Sequence, residues 1–184
     1  MDTMDKTIYL LRFFWYILKY VFLGLLIVAI MIVGFYVAKD TANVYIIATE
    51  GMEVRAGTIM NIAQLDDMNK YFIESFAASD YELGTNKYDE FLIRDFEYKL
   101  KLESIWANPW EDTAYIKAVE SVPEIDGEYP VENEDEVPLV MPKWQSARYN
   151  IALIRIDDAW YISQVIKLED IVETPDATEG EQTQ

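Results

Sequence analysis

The chain contains no cysteine and no histidine, glycine is sparse at 7 residues, and 15 lysines and arginines stand against 33 aspartates and glutamates. Each shortage removes some chemistry. Without cysteine there is no disulfide, no thiolate nucleophile, and no iron–sulfur or thiolate–zinc site. A disulfide-free chain suits a reducing compartment, and equally the many bacterial envelope proteins that never use disulfides. Without histidine the commonest general base and the commonest zinc ligand are gone, which excludes Ser-His-Asp, Cys-His and imidazole–zinc hydrolysis. None of the glycines falls in a GxxxxGK or GxGxxG spacing, so no phosphate-cradling loop is expected.

The shortage of basic residues is uneven. The first 39 residues hold Lys6, Arg12, Lys19 and Lys39 against Asp2 and Asp5, a net of +2, and the whole chain is −18, which leaves −20 on residues 40–184. A domain that acidic repels phosphate backbones, so no nucleic-acid partner is expected. The same repulsion holds it off anionic lipid, so only the apolar segment should engage a bilayer. The 184 residues suit one modest domain plus an anchor. About 130 residues follow the anchor, enough for one hydrophobic core and too few for two.

What the chain does have is one long apolar run. Val21 to Val37 reads VFLGLLIVAIMIVGFYV, with no charge between Lys19 and Lys39. With Phe13 to Tyr20 it supplies the ~20 residues that a bilayer requires of a helix. Trp15, Tyr16 and Tyr20 cluster at one end and Phe35 and Tyr36 at the other, as interfacial aromatic belts do. Gly24 and Gly34 are not spaced as GxxxG, so no dimerisation face is assigned. The run closes on Tyr36-Val37-Ala38-Lys39, a poor match to a signal-peptidase site, which favours an uncleaved anchor. Lys6, Arg12 and Lys19 before the span outnumber Lys39 and Arg55 after it, placing the N-terminus in the cytoplasm and the acidic domain outside the membrane. The expected plan is a short cytoplasmic tail and interfacial segment over 1–20, a transmembrane helix over 21–39, a connector over 40–54, a soluble domain over 55–170 and a disordered tail over 171–184.

In the soluble part, Met52, Ala56, Ile59, Met60 and Ala63 recur at helical spacing despite Gly51 and Gly57, predicting a helix over 50–62. A second helix is predicted from Leu65 to Ala78, where Leu65, Met68, Phe72 and Phe76 share a face and Asp66 or Asp67 can cap the start. From there the period changes to two. In Leu92 to Trp106, residues Leu92, Phe96, Tyr98, Leu100, Leu102 and Trp106 fall on one parity, and Asp95, Glu97, Lys99, Lys101 and Glu103 on the other. That is a half-buried strand with one wet face. Asn108-Pro109 supplies a turn, and Thr113 to Val122 returns as a second strand. Residues 123–142 interrupt with four prolines and many acids but no basic residue. They read as an acidic loop, since Asp126-Gly127-Glu128 and Glu132 to Glu136 lack the ligand spacing of an EF-hand. Trp144 to Ile156 and Ala159 to Leu168 form a closing hairpin around Asp157-Asp158. The class is therefore α+β: an N-terminal transmembrane helix, then an antiparallel sheet of about four strands wrapped on one face by helices.

Carboxylates are the only abundant catalytic groups, and nearly all lie on wet strand faces or in the acidic loop, so no catalytic residue, cofactor or metal is assigned. The aromatics either fill the core or line a pocket on the concave face. Trp106, Trp110 and Trp144 stand near loops, and with Tyr98 and Tyr115 they are the candidate partner or pocket contacts, because aromatics dominate binding hot spots.

The closing stretch, Ala147-Arg148-Tyr149-Asn150-Ile151-Ala152-Leu153-Ile154-Arg155-Ile156-Asp157-Asp158-Ala159-Trp160-Tyr161-Ile162, resembles the final hairpin of nuclear-transport-factor-2-like domains. Those end in an alternating strand, a short polar turn and a Trp-containing strand, and Asp157-Asp158 here replaces their usual Asp-Gly. The resemblance covers about residues 55–168 and implies a cone-shaped, cystatin-like α+β domain. A single span followed by such a domain also looks like the bitopic assembly factor of bacterial type IV secretion and conjugation machines. That likeness implies a non-enzymatic scaffold working by contacts with other envelope proteins or with itself. The alternative is an extracytoplasmic sensor holding a small ligand on the concave face of the sheet.

Overall fold

In the computed structural model, residues 3–130 and 139–171 are described. The centre of the acidic loop, residues 131–138, and the tail from residue 172 onward lie outside the described residues. The chain divides into two units, Met1–Asp40 and Thr41–Gln184.

In the first unit, helix α1 (Thr3–Ile59) begins. From Phe13 to Tyr36 its large apolar side chains are exposed, and the helix is long and apolar enough to cross a membrane. Tyr16 and Tyr20 pack one turn apart near the first end, and Phe35 meets Tyr36 edge-on near the other.

Residues 40–54, expected as a connector, are instead part of α1, which continues without a break to Ile59. The reason is a buried stripe: Val44, Ala48, Met52 and Ala56 recur every fourth residue and all lie in the core. Burial along that stripe outweighs the weak helix propensity of Val44, Thr49, Gly51 and Gly57. Gly51 is needed for the close approach, since a Cβ there would lie 2.6 Å from Ile162 Cδ1 and 3.0 Å from Tyr71 Cβ. The helix ends in a Schellman arrangement, with Asn61 in the left-handed region at φ 60° and the Ile62 N–H donating to the Gly57 carbonyl at 2.8 Å.

The helix predicted over Leu65 to Ala78 is two single turns, α2 (Leu65–Met68) and α3 (Phe76–Ser79). Asp67 at α2 accepts from the Gln64 N–H at 3.0 Å. Between the two turns the backbone gives up helical bonds to pair with the last strand: Ile73 N–H donates to the Ile162 carbonyl at 3.1 Å, and Ile162 N–H to the Tyr71 carbonyl at 2.7 Å. Met68, Phe72 and Phe76 keep the buried face that their spacing implied, and Leu65 is exposed.

Four antiparallel strands follow in sequential order: β1 (Leu92–Ala107), β2 (Thr113–Glu128), β3 (Ala147–Ile156) and β4 (Ala159–Asp170). Strand β2 runs on through Pro123 to Glu128, so the first part of the expected acidic loop is sheet. The β3–β4 hairpin turns on Asp157 and Asp158 at φ 49° and 64°, the pair of positive values that a type I′ turn requires. One sheet face packs on α1 through Ala114, Ile116, Ala118, Tyr149, Ile151, Leu153, Trp160 and Ile162, and the domain is an α+β arrangement around this core.

Candidate functional site

Two places in the second unit carry more than packing. The first is a charged cluster within the core. Arg55 comes from the buried stripe of α1 and is 2% exposed. Its Nε donates to Asp80 Oδ2 at 2.5 Å, and its Nη2 to Asp80 Oδ1 at 3.1 Å and to Glu82 Oε2 at 2.8 Å. The guanidinium also lies 5.9 Å from the centre of the Tyr149 ring. Asp80 caps the following turn by accepting from the Glu82 N–H at 3.0 Å, so one carboxylate holds both the loop and the arginine.

Glu120 completes the cluster. It points inward from β2, between Leu100 of β1 and Ala147 of β3, and is fully buried. Tyr98 Oη donates to its Oε1 at 3.1 Å, whereas its Oε2 and Arg55 Nη1 are buried without a hydrogen-bond partner. Burial pushes the Glu120 carboxyl up to about 7, against the opposing attraction of Arg55 and the Tyr98 bond. Burial would by itself lower the Arg55 pKa, but the bond to Asp80 and the charges of Glu120, Asp80 and Glu82 raise it on balance. Arg55 therefore stays charged and Glu120 is the group that exchanges a proton near neutrality. Tyr98 and Tyr149 are both held protonated, first by burial and then by the Glu120 charge.

A groove opens beside this cluster, between the 79–88 segment, Trp144 and β4. Its wider part, about 560 Å³, is bounded by Ile59, Tyr88, Trp144, Tyr149, Lys87 and Lys167. Its narrower part, about 370 Å³, reaches Arg55, Phe76 and Asp80. Glu82, Tyr81, Tyr149 and Lys167 border both.

The second place is the opposite face of the sheet. Trp106 of β1 pairs with Tyr115 of β2, and they are 64% and 47% exposed. Trp110, 72% exposed, stands in the adjoining turn. Asn108 orders that turn: its side-chain oxygen accepts from the Trp110 N–H at 3.3 Å, and its amide donates to Glu111 at 3.1 Å. Further along the same face Arg148 joins Glu103 of β1, at 2.8 Å, to Glu169 of β4.

The five aromatic residues singled out from the sequence thus separate into three environments. Trp106, Tyr115 and Trp110 share the open face near the β1–β2 turn. Tyr98 is inward and bonded to Glu120. Trp144 lies on the helix side, stacked on Tyr88 with ring centres 6.3 Å apart and planes at 15°. Among the described residues, no group of three or more acidic side chains is placed to hold a metal ion.

Sequence reading missed Arg55, Asp80, Glu82 and Glu120. The signal for two of them was there: Glu120 sits on the apolar parity of Ala114, Ile116, Ala118 and Val122, and Arg55 interrupts the stripe Val44, Ala48, Met52, Ile59. One charge of each sign on two faces that must meet is a pair in waiting. Asp80 and Glu82 lie in an irregular segment where no period could single them out. Compared with known protein families, curated proteins and solved structures, the chain shows no match.

Proposed function

We propose that this protein is a non-enzymatic, membrane-anchored interaction protein of the cell envelope, and that the open sheet face around Trp106, Tyr115 and Trp110 is its contact surface. The observation that carries this reading is the pair Trp106–Tyr115, large aromatic side chains left uncovered side by side on the face that α1 does not pack against. Aromatic residues with a flat sheet platform and charged neighbours such as Arg148 are the composition of interface centres. The apolar helix supports anchoring through residues 21–37, with the membrane as the first partner. In sequence, Lys6, Arg12 and Lys19 before the span outnumber Lys39 and Arg55 after it. That bias supports an N-terminus in the cytoplasm and a domain outside.

The order of helix, sheet and closing hairpin supports a nuclear-transport-factor-2-like domain. A single anchor leading into it supports a place among the scaffold components of type IV secretion and conjugation machines, where partners would be other envelope proteins or a second copy.

The test is in-cell crosslinking of the full chain, solubilisation and mass spectrometry, run beside the Trp106→Ala/Tyr115→Ala variant. The expected result is a reproducible set of envelope partners that the variant loses while its melting temperature holds, since both side chains are largely exposed. An identical partner set in both, or no partner in either, overturns the proposal. Orientation is read separately. With no native cysteine, Ser79→Cys gives a single thiol that an impermeant maleimide labels on intact spheroplasts if the domain is outside.

A further inference from the structure

We propose that the cleft bounded by Ile59, Lys87, Tyr88, Trp144, Tyr149 and Lys167 is a binding site for a small monoanion with a flat apolar body, of which an arylalkyl carboxylate is the simplest form. The inference does not rest on the interaction role, because Tyr88, Trp144 and Tyr149 lie on the helix side of the sheet and Trp106 and Tyr115 on the other.

The volume, about 560 Å³, is that of a small-molecule site. Its walls are rings: Tyr88 and Trp144 are stacked, and Tyr149 and Ile59 adjoin them. A flat apolar body gains most from such walls. Two donors on residues that bound the cleft have no hydrogen-bond partner. Tyr88 Oη and Trp144 Nε1 are both buried and without a hydrogen-bond partner, and Tyr88 as a whole is fully buried. A buried donor left unpaired is costly, so an acceptor that reaches either one gains more than it would at a solvated surface.

Charge selects the sign. Lys87 and Lys167 both border this cleft in a chain of net charge −18. Lys87 Nζ donates to the Lys143 carbonyl at 3.1 Å and, among the described residues, forms no ion pair. Lys167 meets Asp170 at 2.5 Å, on its own strand. Among the described residues the rim carries one carboxylate, Glu82, which Arg55 holds at 2.8 Å. Burial lowers the Lys87 pKa, the charge of Glu82 acts against that, and the charge of Lys167 lowers it again; an anion between the two lysines would oppose both lowering effects. An aromatic cage for a quaternary ammonium is the competing reading. It fails because Lys87 Nζ already occupies the face of the Tyr88 ring, 5.2 Å from its centre. The acidic surroundings also set an upper limit on ligand charge. A polyanion meets the repulsion of the whole domain, whereas a single charge is met mainly by the two lysines.

The test uses the full chain in zwitterionic lipid nanodiscs and three probes of one shape: indole-3-acetate, its neutral amide indole-3-acetamide, and the cationic tryptamine. Calorimetric titration is expected to give saturable binding of the acid, with the amide weaker by about tenfold, the effect of losing one charge-assisted contact. Tryptamine should bind no more tightly than the amide. Lys87→Gln should weaken the acid by a similar factor and leave the amide unchanged. Tyr88→Phe keeps the ring and removes only the idle hydroxyl, so it should weaken the acid severalfold with no loss of melting temperature. Lack of saturable binding of the acid into the millimolar range overturns the proposal. So does an amide that binds as well as the acid, or acid binding indifferent to both substitutions in folded variants.

Discussion

Glu120→Gln is expected to stabilise the domain above neutral pH and to flatten its stability between about pH 4.5 and 7. Two effects compete at this side chain, and the structure says which is larger. Arg55 attracts the carboxylate, but its guanidinium already serves Asp80 and Glu82, so the third carboxylate meets a cation whose charge is balanced twice over. Removal from water is complete, and it lifts the carboxyl from 4.5 to about 7. The sign then follows from proton linkage. A carboxyl whose pKa is higher in the folded than in the unfolded chain makes the folded state hold the extra proton. Its contribution is full below about 4.5 and is lost as pH rises through about 7. At about 1.4 kcal/mol per pH unit, the amount lost is on the order of 3 kcal/mol.

The assay is urea unfolding of the full chain in nanodiscs, followed by near-ultraviolet circular dichroism at several pH values. The other acids titrate alike in both proteins, so the difference between wild type and variant isolates this one group. Near the acid end the two should agree to within about 1 kcal/mol, and near pH 8 the glutamine variant should be more stable by about 1–3 kcal/mol. If the variant instead loses about 3 kcal/mol near pH 8, the size expected for breaking a buried ion pair, Glu120 is ionised and held by Arg55. The reasoning that burial dominates would then be wrong.

Arg55→Met leaves Asp80 and Glu82 without their cation in a largely dry site and should cost about 3–5 kcal/mol, read as a fall in melting temperature. Gly51→Ala would gain about 1 kcal/mol in an open helix, but here its Cβ meets Tyr71 Cβ at 3.0 Å as well as the more mobile Ile162 tip. It should therefore destabilise by about 1–3 kcal/mol in urea, and a stabilised variant would refute the tight approach. Asp158→Gly relieves a side chain held at φ 64° and should add about 0.5–1 kcal/mol in the same assay; no gain would mean the aspartate is locally compensated.

Much of this fold was legible because hydrophobic period is set by geometry the chain cannot avoid. The apolar run of 21–37, the two hairpins and the Asp157-Asp158 turn all follow from it. What was lost was lost to local exchanges of one bond for another. The second expected helix fails because residues 71–73 bond to β4. Parity along β1 fails at its irregularities: register shifts fall between Ile93 and Asp95, between Glu97 and Lys99 and between Leu102 and Ser104. After the shift between Leu102 and Ser104, Ile105 and Ala107 pack toward the core, and Trp106, on one parity with Phe96 in sequence, emerges on the open face. The irregularity thus decides between the two readings of Trp106, core by parity or contact residue by its place near a loop, and puts it on the open face.

Strand β2 carries one residue of the contact surface and one of the buried cluster without letting them touch. Tyr115 points to the open face, whereas Glu120, five residues on, points to the core. A partner seated on Trp106 and Tyr115 cannot reach Glu120 or the cleft through side-chain contact, because the sheet backbone lies between. Coupling would require β2 to shift in register, and its pairing with both β1 and β3 opposes that. The pH-sensitive cluster ties α1, the 80–82 turn and β2 together and stands next to the cleft, sharing Glu82 and Tyr149 with it.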